Sequence, residues 1–145
     1  MSCIEKAFAE LQTRGEAALI PFVTAGDPNL ATTLKILRAL EKGGADCIEL
    51  GIPFSDPTAD GPTIQRSSER ALKNGISLSR IFQLVRQFRR TSEIPIVLFG
   101  YFNPIFHYGV QTFCRAASRA GADGMFCVDL LPEESDECTL WIDSE

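Results

Sequence analysis

A single histidine, no CxxC pair, no excess of basic residues and no apolar run near the roughly 20 residues of a membrane span: these scarcities exclude much before any motif is read. His107 stands in an aromatic stretch without a second ligand-like neighbour. It therefore reads as a surface or packed side chain rather than a metal ligand or catalytic base. Neither a P-loop, a GxGxxG turn nor a Cys/His triad occurs. The five cysteines, Cys3, Cys47, Cys114, Cys127 and Cys138, leave an odd count, which fits core fillers in a reducing compartment. Lys and Arg number 14 against 19 Asp and Glu, a net charge of −5, which argues against nucleic acid or an anionic membrane as partner. The densest basic run, Arg86-Gln87-Phe88-Arg89-Arg90, reads as the solvated end of a helix. Met1 to Leu11 lacks the charged-then-apolar order of a leader, so a cytoplasmic location is expected, or a plastid one after removal of a transit segment.

What is present is an alternation of helical and strand patterns. Ser2 can cap a helix with Ile4, Ala7, Phe8 and Leu11 on one face and Gly15 as its stop. Ala17 to Val23 reads as a strand despite Pro21. Asp27-Pro28 reads as a helix start, followed by Leu30, Leu34, Leu37 and Leu40. Cys47 to Leu50 is a second strand. Pro62 opens a helix to about Asn74, and Ser77 caps another with Leu78, Ile81, Phe82, Val85 and Phe88 on its face. Ile94 to Phe99 is the third strand, and Gly100 to Gly109 an unusually aromatic loop that could line a pocket, meet a partner or simply pack. Val110, Phe113, Cys114, Ala117 and Ala120 mark a further helix, and Met125 to Val128 a fourth strand. Two joints, Gly44-Ala45-Asp46 and Gly121-Ala122-Asp123, echo each other. Such alternation predicts a parallel α/β sheet with right-handed crossovers. A closed (β/α)8 barrel needs roughly 200 residues or more, so 145 residues and four strands amount to about its first half. Residues 136–145 form no helical face and are expected to be a poorly ordered acidic tail on a domain of residues 1–135.

The chemistry concentrates in residues 46–62. Side chains alternate along the second strand, so Ile48 and Leu50 share one side while Cys47, Glu49 and Gly51 share the other. Glu49 is a lone carboxylate in an apolar strand. Either a cation neutralises it, or its pKa rises, or it belongs to a cleft that uses it. Pro53, Pro57 and Pro62 then stiffen a loop that holds Ser55, Asp56 and Asp60 beyond the strand's carboxyl end, where α/β sheets place their sites. A catalytic Glu49 is favoured over a structural ion pair. Spacing alone leaves Asp60 equally a loop brace or a site residue.

Glu49-Leu50-Gly51-Ile52-Pro53-Phe54-Ser55-Asp56-Pro57-Thr58-Ala59-Asp60-Gly61-Pro62-Thr63-Ile64-Gln65 resembles the signature of the tryptophan synthase α subunit family. The likeness runs from about Ile4 to Ser135 and includes Pro21 to Pro28, Gly100 to Ile105, Gly121 to Gly124, Asp129 and Glu133-Glu134-Ser135. Thr58 and Leu131 depart from it. The resemblance implies a TIM-barrel lyase that cleaves indole-3-glycerol phosphate to indole and glyceraldehyde 3-phosphate by a retro-aldol step, in tryptophan biosynthesis. It casts Glu49 and Asp60 as catalytic, with Glu49 moving protons and an ionised Asp60 stabilising positive charge on the indole ring. Phe22, Tyr101 and Phe126 would wall the pocket. It also implies an α2β2 heterotetramer with a pyridoxal-phosphate β subunit, this chain itself carrying no cofactor, and contacts through Pro53, Asp56, Pro57, Asn103 and Phe106.

In such barrels phosphate is held after the seventh and eighth strands, and no glycine-rich segment of that kind is present. Low or no activity of this chain alone is therefore expected, with a tendency to self-associate or be degraded. The competing expectations are a non-catalytic half-barrel that binds or regulates a partner and, less well matched, another barrel enzyme acting on a sugar phosphate.

Overall fold

The first helix begins where the capping signal lies. In the computed structural model, which describes residues 2–131, the Ser2 hydroxyl accepts the Glu5 N–H and the Glu5 carboxylate accepts the Ser2 N–H, a capping box for α1 (Cys3–Arg14). Then follow β1 (Phe22–Thr24), α2 (Leu30–Lys42), β2 (Ile48–Gly51), α3 (Pro62–Lys73), α4 (Leu78–Arg89), β3 (Ile96–Gly100), α5 (Phe102–Tyr108), α6 (Val110–Ala120) and β4 (Gly124–Cys127). The strands are parallel neighbours in chain order, β1-β2-β3-β4, so each connection is a helical crossover, as the sequence pattern requires. The acidic segment 136–145 lies outside the described residues.

Several local expectations are corrected. The strand expected over Ala17 to Val23 shortens to β1, because Pro21 has no N–H to offer a ladder and Leu19 and Ile20 remain exposed. Asn29, not Asp27, caps α2 by accepting the Thr32 N–H, since both oxygens of Asp27 are taken by Arg70 at 2.8 Å. The aromatic loop is the short helix α5, with Pro104 in its first turn, where a missing N–H costs nothing. Arg89, assigned to a solvated run, turns inward instead: its guanidinium donates to the Gly121 and Ile94 carbonyls and pairs with Asp123. Among the cysteines, Cys47 is buried, but Cys3 is exposed and fills no core.

The two echoing joints share a bonding scheme. The Asp46 N–H donates to the Leu19 carbonyl and its carboxylate accepts the Leu19 N–H at 2.8 Å. Asp123 does the same with Ile96, donating to its carbonyl and accepting its N–H at 2.8 Å. Each aspartate thus clips its incoming strand to the neighbouring one and fixes register before the ladder starts. Arg89 reinforces the second clip only.

One side of the sheet carries the core. Ile48 and Leu50 from β2 and Ile96 and Leu98 from β3 are fully buried against Leu34 and Leu37 of α2, Ile81, Val85 and Phe88 of α4, and Phe113 and Ala117 of α6. Burying each such side chain contributes about 1.5–3 kcal/mol. The other side belongs to none of this cluster.

Candidate active site

Parallel partners in register point to the same side of a sheet. Phe22, Glu49, Val97 and Gly124 therefore form one row, and Thr24, Gly51, Phe99 and Phe126 the next, on the face turned away from the helical core. Burial follows the alternation: Val97 and Phe99 are half-buried between fully buried Ile96 and Leu98. Phe22 meets Phe99 edge-on at 5.4 Å, and Phe99 stacks on Phe126 at 5.1 Å with ring planes 6° apart. A Cβ at Gly51 would collide with the Phe22 ring, so glycine there makes room for that ring over the strand. Phe126 remains 53% exposed. An aromatic floor of this kind accepts a flat apolar ring.

Glu49 rises from this floor. It is half-buried, and none of the described residues hydrogen-bonds to its carboxylate or pairs with it. The ion pair that would make it merely structural is thus missing among the described residues. Two residues earlier on the same face, the Cys47 thiol has a raised pKa, through burial first and then through the charges of Glu49 and Asp123. It stays a neutral thiol, a poor nucleophile.

Asp60 is half-buried in the loop between β2 and α3, its N–H donating to the Pro57 carbonyl at 3.0 Å. The loop is anchored beyond both ends. Ile52 N–H reaches the Phe99 carbonyl at 2.7 Å, while α3 is tied to the β1 side through Thr24 and Ser67 at 2.6 Å and through Arg70 and Asp27. Tyr101, just past β3, is 4% exposed; its ring lies 5.3 Å from Phe54, and its hydroxyl accepts the Ala59 N–H at 3.0 Å. Burial holds the phenol pKa above its ordinary value, and the charge and hydrogen bond of Asp60 add to this, against the Ala59 N–H.

The structure therefore brings Glu49, Phe22 and Phe126 onto one face and places Tyr101 at its carboxyl-end rim, bonded to the loop at Ala59, the residue before Asp60. Of the positions expected to meet a partner, Asp56, Asn103 and Phe106 are exposed and Pro57 is half-buried. Pro53 is buried within its own chain and offers little surface. Thr58 and Leu131 are both exposed. Sequence reasoning missed Phe99, the ring on which the row depends, although alternation with Ile96 and Leu98 places it opposite the core. His107 is exposed, its ring beside the Asn103 carbonyl, and no group of potential metal ligands occurs among the described residues.

Parallel strands in chain order, helices packed on one face, and a lone carboxylate with aromatics on the other below polar carboxyl-end loops define the (β/α)-barrel class, here as four of its units. The model of the tryptophan synthase alpha chain family matches residues 8–145. The alpha chain of Desulfatibacillum aliphaticivorans is 56% identical over 142 residues, covering 97% of this chain and 54% of the relative. That of Citrifermentans bemidjiense is 58% identical over 137 residues, 94% of this chain and 51% of the relative. The crystal structure of the alpha subunit from Legionella pneumophila superposes with a TM-score of 0.97 at 46% identity, over 99% of this chain and 55% of that one. A chain of the Pyrococcus furiosus tryptophan synthase α2β2 complex does so with a TM-score of 0.85 at 51% identity, over 88% and 54%. The chain belongs to the tryptophan synthase alpha chain family, and it spans about half the length of the curated relatives it matches.

Proposed function

We propose that this chain supplies the carboxylate half of a retro-aldol site, cleaving indole-3-glycerol phosphate to indole and glyceraldehyde 3-phosphate. The observation that carries the reading is the Glu49 carboxylate, without an ion-pair partner among the described residues, set with Phe22, Phe99 and Phe126 on one sheet face. An indole ring laid on that floor brings its reacting carbon toward a carboxyl group able to protonate carbon and to take the glycerol hydroxyl proton. Asp60, at the rim, supplies fixed negative charge for the positive charge that develops on the ring. Tyr101 closes the wall behind the loop. Cleavage of this kind needs no cofactor in this chain.

In barrels of this class phosphate is gripped after the seventh and eighth strands, beyond the four described here, so turnover is expected to be slow. The test is indole release from indole-3-glycerol phosphate by the purified chain. Slow release is expected, and none at micromolar enzyme would contradict the assignment.

The partner in this reading is the β subunit of an α2β2 tryptophan synthase, which carries pyridoxal phosphate, met through exposed Asp56, Asn103 and Phe106. Phe106, 64% exposed, also favours a second reading, a partner-binding subunit without turnover. Capture of a β subunit by a chain that forms no indole would select it. A cytoplasmic setting suits either, and no helix of the described residues is long and apolar enough to cross a membrane.

A further inference from the structure

We propose that the Tyr101 hydroxyl is a positioning group that holds the loop carrying Asp60 closed over the rim of the open face, so that the Asp60 carboxylate is presented rather than free to swing. Two contacts point to it. The hydroxyl oxygen accepts the Ala59 N–H at 3.0 Å, fixing the backbone one residue before Asp60. The ring is buried just past the end of β3, so the hydroxyl is fixed to the sheet rather than to the loop, and its 5.3 Å contact with Phe54 is a second tie to that loop. The hydroxyl thus satisfies the backbone donor next to Asp60, and the negative charge of Asp60 helps to raise the phenol pKa. Asp60 N–H to Pro57 and Thr58 N–H to Asp56 are both internal to the loop, the Gln65 side-chain amide of α3 donates to the Asp60 carbonyl at 2.8 Å, and Ser55, Asp56, Thr58 and Ala59 are exposed. A segment held by few outward bonds opens locally at low cost, and the Tyr101 hydroxyl, which holds the Ala59 N–H to the end of β3, lowers how often that amide is freed.

The phenol's raised pKa keeps the group neutral and able to donate until well into the alkaline range. This role rests on Asp60 being the charge-stabilising carboxylate proposed above, and Tyr101 acts through it without needing to touch substrate.

Amide exchange in the whole 145-residue chain, read by NMR, tests the proposal. Tyr101→Phe keeps the ring against Phe54 and removes only the hydroxyl. The Ala59 amide should then exchange about tenfold faster, as expected for one lost hydrogen bond, with the Leu98 amide unchanged. Asp60→Asn should instead retain Ala59 protection and lower the titration midpoint of Tyr101. In the indole-release assay, Tyr101→Phe should lower kcat with little change in KM. Unchanged Ala59 exchange in Tyr101→Phe, an Ala59 amide already unprotected in the parent chain, or equal acceleration at Leu98 would each overturn the positioning role. Selective loosening at Ala59 in a parent chain that releases no indole would support that role and contradict the reaction, so the two can fail separately.

Discussion

The two faces of one four-stranded sheet differ in almost every physical respect. On the helix side, Ile48, Leu50, Ile96 and Leu98 are wholly buried and serve stability. On the other, the same strands present Glu49, Gly51, Val97 and Phe99 between Phe22 and Phe126, with a carboxylate unpaired among the described residues and a ring left half in water. Period-two alternation separates the two jobs, so a substitution can strike one while sparing the other. The difference teaches that exposure on this sheet marks the site and burial marks the scaffold.

The largest effect belongs to the scaffold. Leu50→Ala should cost about 2–5 kcal/mol in urea unfolding, because the cavity it leaves lies among residues that cannot all close in. An effect below about 1 kcal/mol would mean that the helical layer is loose. Across the sheet, Phe126→Ala should cost only about 1 kcal/mol, the value of one aromatic stack, while weakening indole binding measured by titration. Equal stability losses from the two substitutions would erase the contrast between faces.

The smallest effect is electrostatic. The charge of Glu49 helps raise the Cys47 thiol pKa, so Glu49→Gln should lower that pKa, read from the pH dependence of the Cys47 13Cβ shift. The sign for stability follows from the same shift. The folded chain resists ionising a thiol that the unfolded chain ionises near its ordinary value of 9.0, so the contribution is complete below pH 9.0 and is lost as the pH rises through the folded value. A Cys47 pKa unmoved by Glu49→Gln would show that the two side chains do not share a face.

Much of this was legible in the residues. Ser2 and Gly15 marked helix ends because caps are local chemistry, Ser77 marked the start of α4 by position although its side chain makes no cap bond, and the faces of Glu49 and Leu50 followed from alternation alone. The Gly-Ala-Asp joints were visible as an echo. Their meaning was not, since the partners Leu19 and Ile96 lie 27 residues from Asp46 and Asp123. The same distance hid Arg89, whose pairing with Asp123 no helical pattern announces, and Arg70, whose grip on Asp27 moved the cap of α2 to Asn29. Tyr101 was named as a wall; the bond from its hydroxyl to Ala59 spans 42 residues, and only the folded chain reveals it. Phe99 could have been found, because the alternation that placed Glu49 places it equally.

Glu49→Gln, assayed for indole release and for urea unfolding on the same preparation, tests the central claim most directly. The account predicts a fall in indole release of about 100-fold or more, the scale of a lost general acid–base group, with unfolding free energy within about 0.5 kcal/mol of the parent. Retained release, or release and fold lost together, would contradict it.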